Sequence, residues 1–267
     1  MSAVATTLNV MRYAFRAGLA DYRAIFTWKS WLAGWYVRVL AQVAFFALIG
    51  ECLGDDEKTY YLLVGNSLLI AAQVGVFSLN MTSSERWTGT LPLLVASPSS
   101  PVIVFSARGS YLAIDGALSA LGALFIAGPV FGMDLPWPRV LAVVPLTLVV
   151  ALASYGFGTF LAGIVFRFRH INSLVVVTTY VSLMAACGVN VPLSYYPETV
   201  AWAAHFLPLT NGLLGIRAVF EGAAASTILG HAALEALVGL GWMTAALLSF
   251  NRLASQGRRD GSLDYGA

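Results

Sequence analysis

The chain has 267 residues, of which 58% are hydrophobic and only 10% charged, with a net charge of +2. An ordinary soluble domain carries about 25% charged residues, so this chain can cover its outside only where lipid replaces water. The apolar runs are long and continuous without period-two alternation, which excludes a barrel in favour of spanning helices, and the few basic residues form no stripe, which excludes a nucleic-acid surface.

From Leu8 onward Met11, Phe15, Leu19, Tyr22 and Phe26 recur at three and four residues and share one helical face. Arg12, Arg16 and Arg23 lie beside that face, so the spacing predicts an amphipathic helix over 8–29 at the membrane surface, its guanidinium groups at the lipid phosphates. The same arginines interrupt the apolar stretch and leave no h-region, so no cleaved signal peptide is expected.

The first span is predicted over 31–50, with Trp28, Trp31 and Trp35 as an aromatic belt and Arg38 as its one charge, facing protein or snorkelling inward. The acidic stretch Glu51, Asp55, Asp56, Glu57 follows, and a second span covers 60–81 with Asn66 and Gln73 as polar members. Over 83–107 Pro92, Pro98 and Pro101 divide the apolar residues into pieces too short to span, which predicts a structured loop. The third span is expected over 106–132, the fourth over 139–166 and the fifth over 171–191, with Gly and Ala of the third and fourth as close-packing surface.

The stretch 201–220 is apolar yet holds His205, Pro208, Asn211, Gly212 and Arg217. It is expected as two half-helices meeting near Pro208 and re-entering from one side, within an outer segment over 192–230. The last span covers 231–250 and a polar tail 251–267.

The expected fold is therefore an all-α polytopic integral membrane protein. It is one transmembrane unit over 1–267, with six transmembrane helices, an N-terminal interfacial helix and a re-entrant outer hairpin. With both termini in the cytoplasm, Arg12, Arg16, Arg23, Lys29, Arg86, Arg108, Arg167, Arg169, Arg252, Arg258 and Arg259 fall inside and only Lys58, Arg139 and Arg217 outside. That bias is the one the positive-inside rule requires, and a seventh span over 201–220 would invert it at the tail.

Cys52 and Cys187 form no CxxC pair and no metal-ligand spacing appears, so no metal site is expected. The two cysteines read as buried thiols in separate helices, with a disulfide as the alternative. The only lysines, Lys29 and Lys58, sit in no GxxxxGK[ST] setting, so the chain is not expected to hydrolyse ATP itself, and no catalytic constellation surrounds His170, His205 or His231. Asp115 in the third span and Glu235 in the last are expensive carboxylates at such depth. They could line a substrate route, or serve as polar glue between helices with Arg38 or Arg217 as partner.

The loop Glu85, Arg86, Gly89, Thr90, Leu91, Leu93, Leu94, Ser97, Pro98, directly after the second span, resembles the ER-x-x-GT-L-x-x-L-L-x-(S/T)-P pattern of type 2 permeases of ATP-binding-cassette exporters. Leu207, Pro208, Leu209, Thr210 and Asn211 through Arg217 are similar to the L-P-L-T segment before the last span of that family. Pro92 departs from the pattern, which usually has an acidic residue there.

The resemblance implies that Glu85, Arg86, Gly89, Thr90, Leu91 and Pro98 form a cytoplasmic coupling loop docking on a separate nucleotide-binding ATPase subunit. ATP and Mg would bind on that partner, with no cofactor in this chain. It further implies a dimer with a second permease copy, a bacterial inner-membrane location, and an amphiphilic small molecule, drug or lipid as cargo, with Asp115, Asn211, Arg217 and Glu235 as candidate pathway residues. An ion-coupled secondary transporter, with Asp115 and Glu235 as proton-binding groups, is the reading of a different class.

Overall fold

The computed structural model describes residues 3–80, 101–167 and 171–260, and every regular element among them is helical. Helix α1, Ala3–Ile25, turns Phe15, Leu19 and Tyr22 toward the core while Arg12, Arg16 and Arg23 stay exposed. It packs on α4, Pro101–Gly109, across Gly18, where a Cβ would collide with the Arg108 carbonyl, and only glycine permits that approach. Asp21 and Arg108 form an ion pair across the same contact. The helix stops at Ile25, short of the expected residue 29, because Thr27 starts a new one. The Thr27 hydroxyl accepts the Ser30 amide at 3.2 Å and the Ser30 hydroxyl accepts the Thr27 amide at 3.0 Å, a capping box.

Helix α2, Trp28–Cys52, contains a π-helical turn over Trp31–Tyr36. Helix α3, Asp56–Val76, continues as a 3-10 turn Phe77–Asn80, and Asp55 caps it by accepting the amides of Glu57 at 3.0 Å and Lys58 at 3.2 Å. Helices α4 and α5, Tyr111–Val130, form one bent span. Helix α6, Val143–Arg167, follows a 3-10 turn over Arg139–Ala142, and α7 is Asn172–Ala186. Helices α8, Glu198–Ala204, and α9, Thr210–Phe220, precede α10, Ala225–Asp260.

Helix α3 is the centre of the bundle, 83% buried over its most apolar window, against 22% for α2 and 17% for α10. It packs on α2, α5 and α6, and small residues set the spacing. A Cβ on Gly75 would lie 2.8 Å from the Ala151 carbonyl of α6, and one on Gly116 of α5 would lie 2.9 Å from the Ala71 carbonyl. Helix α10 runs along α6 in the same way, with Gly239 over Ala153. Lipid tails supply no hydrophobic force between helices, so close backbone approach and van der Waals contact hold these pairs together. The Gly- and Ala-rich packing surface expected of the third and fourth spans is therefore present.

Among the described residues, five helices are long and apolar enough to cross a bilayer: Trp28–Cys52, Asp56–Asn80, Ile103–Val130, Arg139–Val165 and Ala225–Ser249. The expected fifth span over 171–191 is not among them, since α7 ends at Ala186 after 15 residues. At Gly188 the backbone turns through φ +76, and the Gly188 and Val189 carbonyls face Arg217 instead of continuing a helical ladder. The expected tail also changes, because α10 is one helix of 36 residues that begins before 231 and runs on to Asp260. Both cysteines are free, Cys187 buried but Cys52 exposed at the last turn of α2, where the chain leaves the bundle.

Candidate functional site: a broken helix held by buried polar groups

The expected break in 201–220 lies over residues 205–209, between α8 and α9. Backbone that leaves a helix within an apolar setting needs partners for its freed amides and carbonyls. Here side chains supply them. Thr210 Oγ1 donates to the Ala204 carbonyl at 2.7 Å and Asn211 Nδ2 to the His205 carbonyl at 3.0 Å, which satisfies the end of α8. Asn211 Oδ1 lies 2.7 Å from His205 Nδ1, so the ring and the amide lock each other.

The start of α9 is held from another helix. Glu235 on α10 is fully buried, and its two oxygens accept the Leu209 amide at 2.7 Å and the Gly212 amide at 2.9 Å. Leu209 has φ +98, a conformation that costs a branched residue about 1–3 kcal/mol and persists only where surroundings impose it. A carboxylate at the first turn also lies at the positive end of the α9 dipole. Gly212 is required beside it, because a Cβ there would lie 3.3 Å from Glu235 Cγ and collide with Val150.

Arg217, near the end of α9, makes a second tie. Its guanidinium donates to the Gly188 carbonyl at 2.8 Å, the Tyr61 carbonyl at 3.2 Å and the Val189 carbonyl at 3.3 Å, and stacks 3.4 Å from the centre of the Tyr61 ring. Tyr61 Oη donates to the same Gly188 carbonyl at 2.7 Å, and Asn66 Nδ2 donates to Asn190 Oδ1 at 2.9 Å. The irregular stretch after α7 is thus fastened to α3 and α9 together. Glu235 and Arg217 do not pair with each other, so the glue expected between a carboxylate and an arginine is instead two separate links from side chain to backbone.

Asp115 belongs to a different place. It accepts the Trp31 indole N–H at 3.0 Å, and Trp31 is only the fourth residue of α2, so Asp115 lies level with the start of α2 and close to α1. Tyr22 of α1 faces the same carboxylate, and burial first, then the Asp115 charge, pushes the Tyr22 phenol up, which keeps it a donor. Arg38 does not pair with Asp115 either.

Sequence reasoning named Asn211, Arg217 and Glu235, and the structure brings all three to the α9 region. It missed Tyr61, Gly188 and Asn190, and also Tyr22 and Trp31 beside Asp115. Only the Gly188 position carries a local signal, as a glycine within an apolar run. The expected coupling residues Glu85, Arg86, Gly89, Thr90, Leu91 and Pro98 lie outside the described residues. Among the described residues no three His, Cys, Asp or Glu side chains gather as a metal site.

Long apolar helices around a buried central one, with non-helical backbone satisfied internally, define an integral α-helical membrane protein. The family model for the ABC-2 type transporter matches residues 19–220, and the chain belongs to that family. It is accordingly a membrane permease subunit of an ABC transporter. No curated protein matches it.

Proposed function

We propose that this permease works as a dimer in the bacterial inner membrane, with its termini in the cytoplasm, and exports an amphiphilic small molecule, drug or lipid. Two separate ATPase subunits, carrying ATP and Mg, grip the 83–107 loops through Glu85, Arg86, Gly89, Thr90, Leu91 and Pro98. The observation that carries the reading is the family match together with what flanks that loop. That stretch follows α3, the buried centre of the bundle, and its residues 101–107 are the start of α4, which is latched to α1 through Gly18 and the Asp21 and Arg108 pair.

A push on the loop therefore reaches two packed bodies at once. One is α3 with its neighbours α2, α5 and α6, and the other is the interfacial helix with α4. Movement of α3 also reaches the outer break, because Arg217 holds the Tyr61 carbonyl of α3 and the end of α7 in one grip. Asn211 and Glu235 serve in this reading as the frame of the outer gate, with cargo passing beside it. The ion-coupled alternative gains nothing from Glu235, whose two oxygens are already occupied by backbone amides.

The experiment is co-purification with candidate ATPases followed by ATP turnover in liposomes. Glu85→Ala and a deletion of 89–98 should each abolish stimulated turnover while the chain still inserts. Full assembly and transport by both variants would sink the coupling assignment.

A further inference from the structure

Arg38 lies two residues from residue 40, the midpoint of the helix Trp28–Cys52, and is exposed. At that depth it is about 12 Å from the nearer edge of the hydrocarbon, too far for the side chain to reach a headgroup. A lipid-facing arginine there costs roughly 2.5–3.5 kcal/mol. Its surroundings are not those of a lipid face. The guanidinium stacks 4.4 Å from the centre of the Trp35 ring, and the Trp35 indole is itself fixed by a 3.3 Å hydrogen bond to Ser119 of α5. One turn on, Gln42 Nε2 donates to Tyr180 Oη of α7 at 3.1 Å. Arg38 and Gln42, four residues apart, thus share one face of α2, and that face meets Tyr180 of α7.

The charge calls for an anion, and among the described residues a second copy of this chain offers no free carboxylate at that depth. Of the acidic side chains among the described residues, only Asp115 and Glu235 fall inside spanning helices away from their first and last turns. Asp115 is held by Trp31, level with the start of α2, and Glu235 by the amides of Leu209 and Gly212. No carboxylate among the described residues pairs with Arg38.

We propose that Arg38, with Gln42 and Tyr180, forms a subsite for the oxyanion headgroup, phosphate or carboxylate, of an amphiphile held between α2 and α7. This deepens the cargo class and rests on the exporter reading above. Trp35 keeps the guanidinium plane preoriented, Arg38 supplies the charge-assisted hydrogen bonds, and Gln42 stands ready as a further donor. Exposed Phe45 and Val181 of the same two helices offer apolar surface for a chain.

The test uses the purified full-length chain in neutral phosphatidylcholine nanodiscs, with empty discs subtracted. Dodecyl phosphate and dodecyltrimethylammonium are titrated against wild type, Arg38→Gln, Arg38→Lys and Gln42→Leu by native mass spectrometry. Wild type should prefer the phosphate by about tenfold or more, Arg38→Gln should remove the preference, and Arg38→Lys should keep part of it. Competition by phosphatidylglycerol assigns the subsite to a lipid headgroup, and resistance assigns it to a single-chain cargo; both keep the oxyanion. Thermal unfolding of each variant separates lost binding from lost folding. Equal affinity for both headgroups, or a preference untouched by Arg38→Gln in a folded protein, overturns the proposal. None of these titrations involves an ATPase, so their failure leaves the permease reading standing, and a failure to recruit any ATPase leaves the subsite standing.

Discussion

The Glu235 carboxylate accepts the Leu209 amide at 2.7 Å, which ties the last long helix to the one residue outside glycine that adopts a positive φ among the described residues. The link binds α10 to the break between α8 and α9 without any opposite charge. Glu235→Gln keeps one acceptor oxygen but sets an amide group against a backbone N–H, at a cost of about 1–3 kcal/mol, and Glu235→Leu orphans both amides at a greater cost. Thermal unfolding in detergent should rank the three proteins wild type, Gln, Leu. An Arg-rescue variant would not restore the loss, since no cation is being replaced.

Arg217 holds three carbonyls at once, which a lysine cannot do with a single ammonium. Arg217→Met should free the stretch after α7, and Arg217→Lys should do so in part. Cys187, 1% exposed and within that stretch, is the reporter, with exposed Cys52 as internal control. In wild type a maleimide should label Cys52 alone, and in Arg217→Met both. Unchanged labelling of Cys187 would show that the guanidinium is dispensable.

Gly18 lets α1 touch the backbone of α4 at Arg108. Gly18→Val should prise the two helices apart while leaving the spans in place. Tryptic cleavage at Arg12 and Arg16, exposed on α1, should then quicken, and ATP turnover in the complex should lose its dependence on cargo. Cleavage at the wild-type rate would argue that α1 is held elsewhere.

Asp115 accepts a hydrogen bond from Trp31 and faces Tyr22, and an asparagine oxygen can do the same. Asp115→Asn should therefore retain ATP-driven transport, whereas Asp115→Leu leaves donors unpaired and costs about 1–3 kcal/mol. Complete loss of transport in the asparagine variant would point to a proton carried at this position and favour the ion-coupled mechanism.

At the N-terminal end of α3 the hydrogen bond from Lys58 holds the Asp55 carboxyl below its ordinary value of 3.8, and the two side chains meet at 2.9 Å. The fold thus favours the carboxylate, and the benefit is full above the ordinary value and disappears as pH falls through the lower folded one. Asp55→Asn should lower the melting temperature slightly at neutral pH, with the difference from wild type closing under strong acid. A gap that stays constant with pH would rule out an electrostatic origin.

Much of this arrangement is legible in the residues. Arginines beside a narrow apolar face mark α1, and Pro208, Asn211, Gly212 and Arg217 within an apolar stretch mark the break, because each is poor company for lipid. The partners of Glu235 are not legible, since backbone amides 23 and 26 residues away have no side-chain signature. Nor is the early end of α7, because hydropathy reads composition: Val189 and Val191 continue the apolar run, while Gly188 and the grip of Arg217 end the helix. The far extent of α10 escapes for the opposite reason, as polar residues after 250 remove apolarity without breaking a helix.

The shortness of α7 has a consequence for the surrounding bilayer. Its 15 residues rise about 22 Å, so acyl chains beside it meet a wall roughly 8 Å lower than the usual hydrocarbon thickness. Acyl chains packed on its exposed Leu174, Val177 and Val181 would dip or thin to match it, a hydrophobic mismatch costing fractions of a kcal/mol per Å. Turnover should accordingly run faster in membranes of shorter-chain lipids, which match the low flank without deformation.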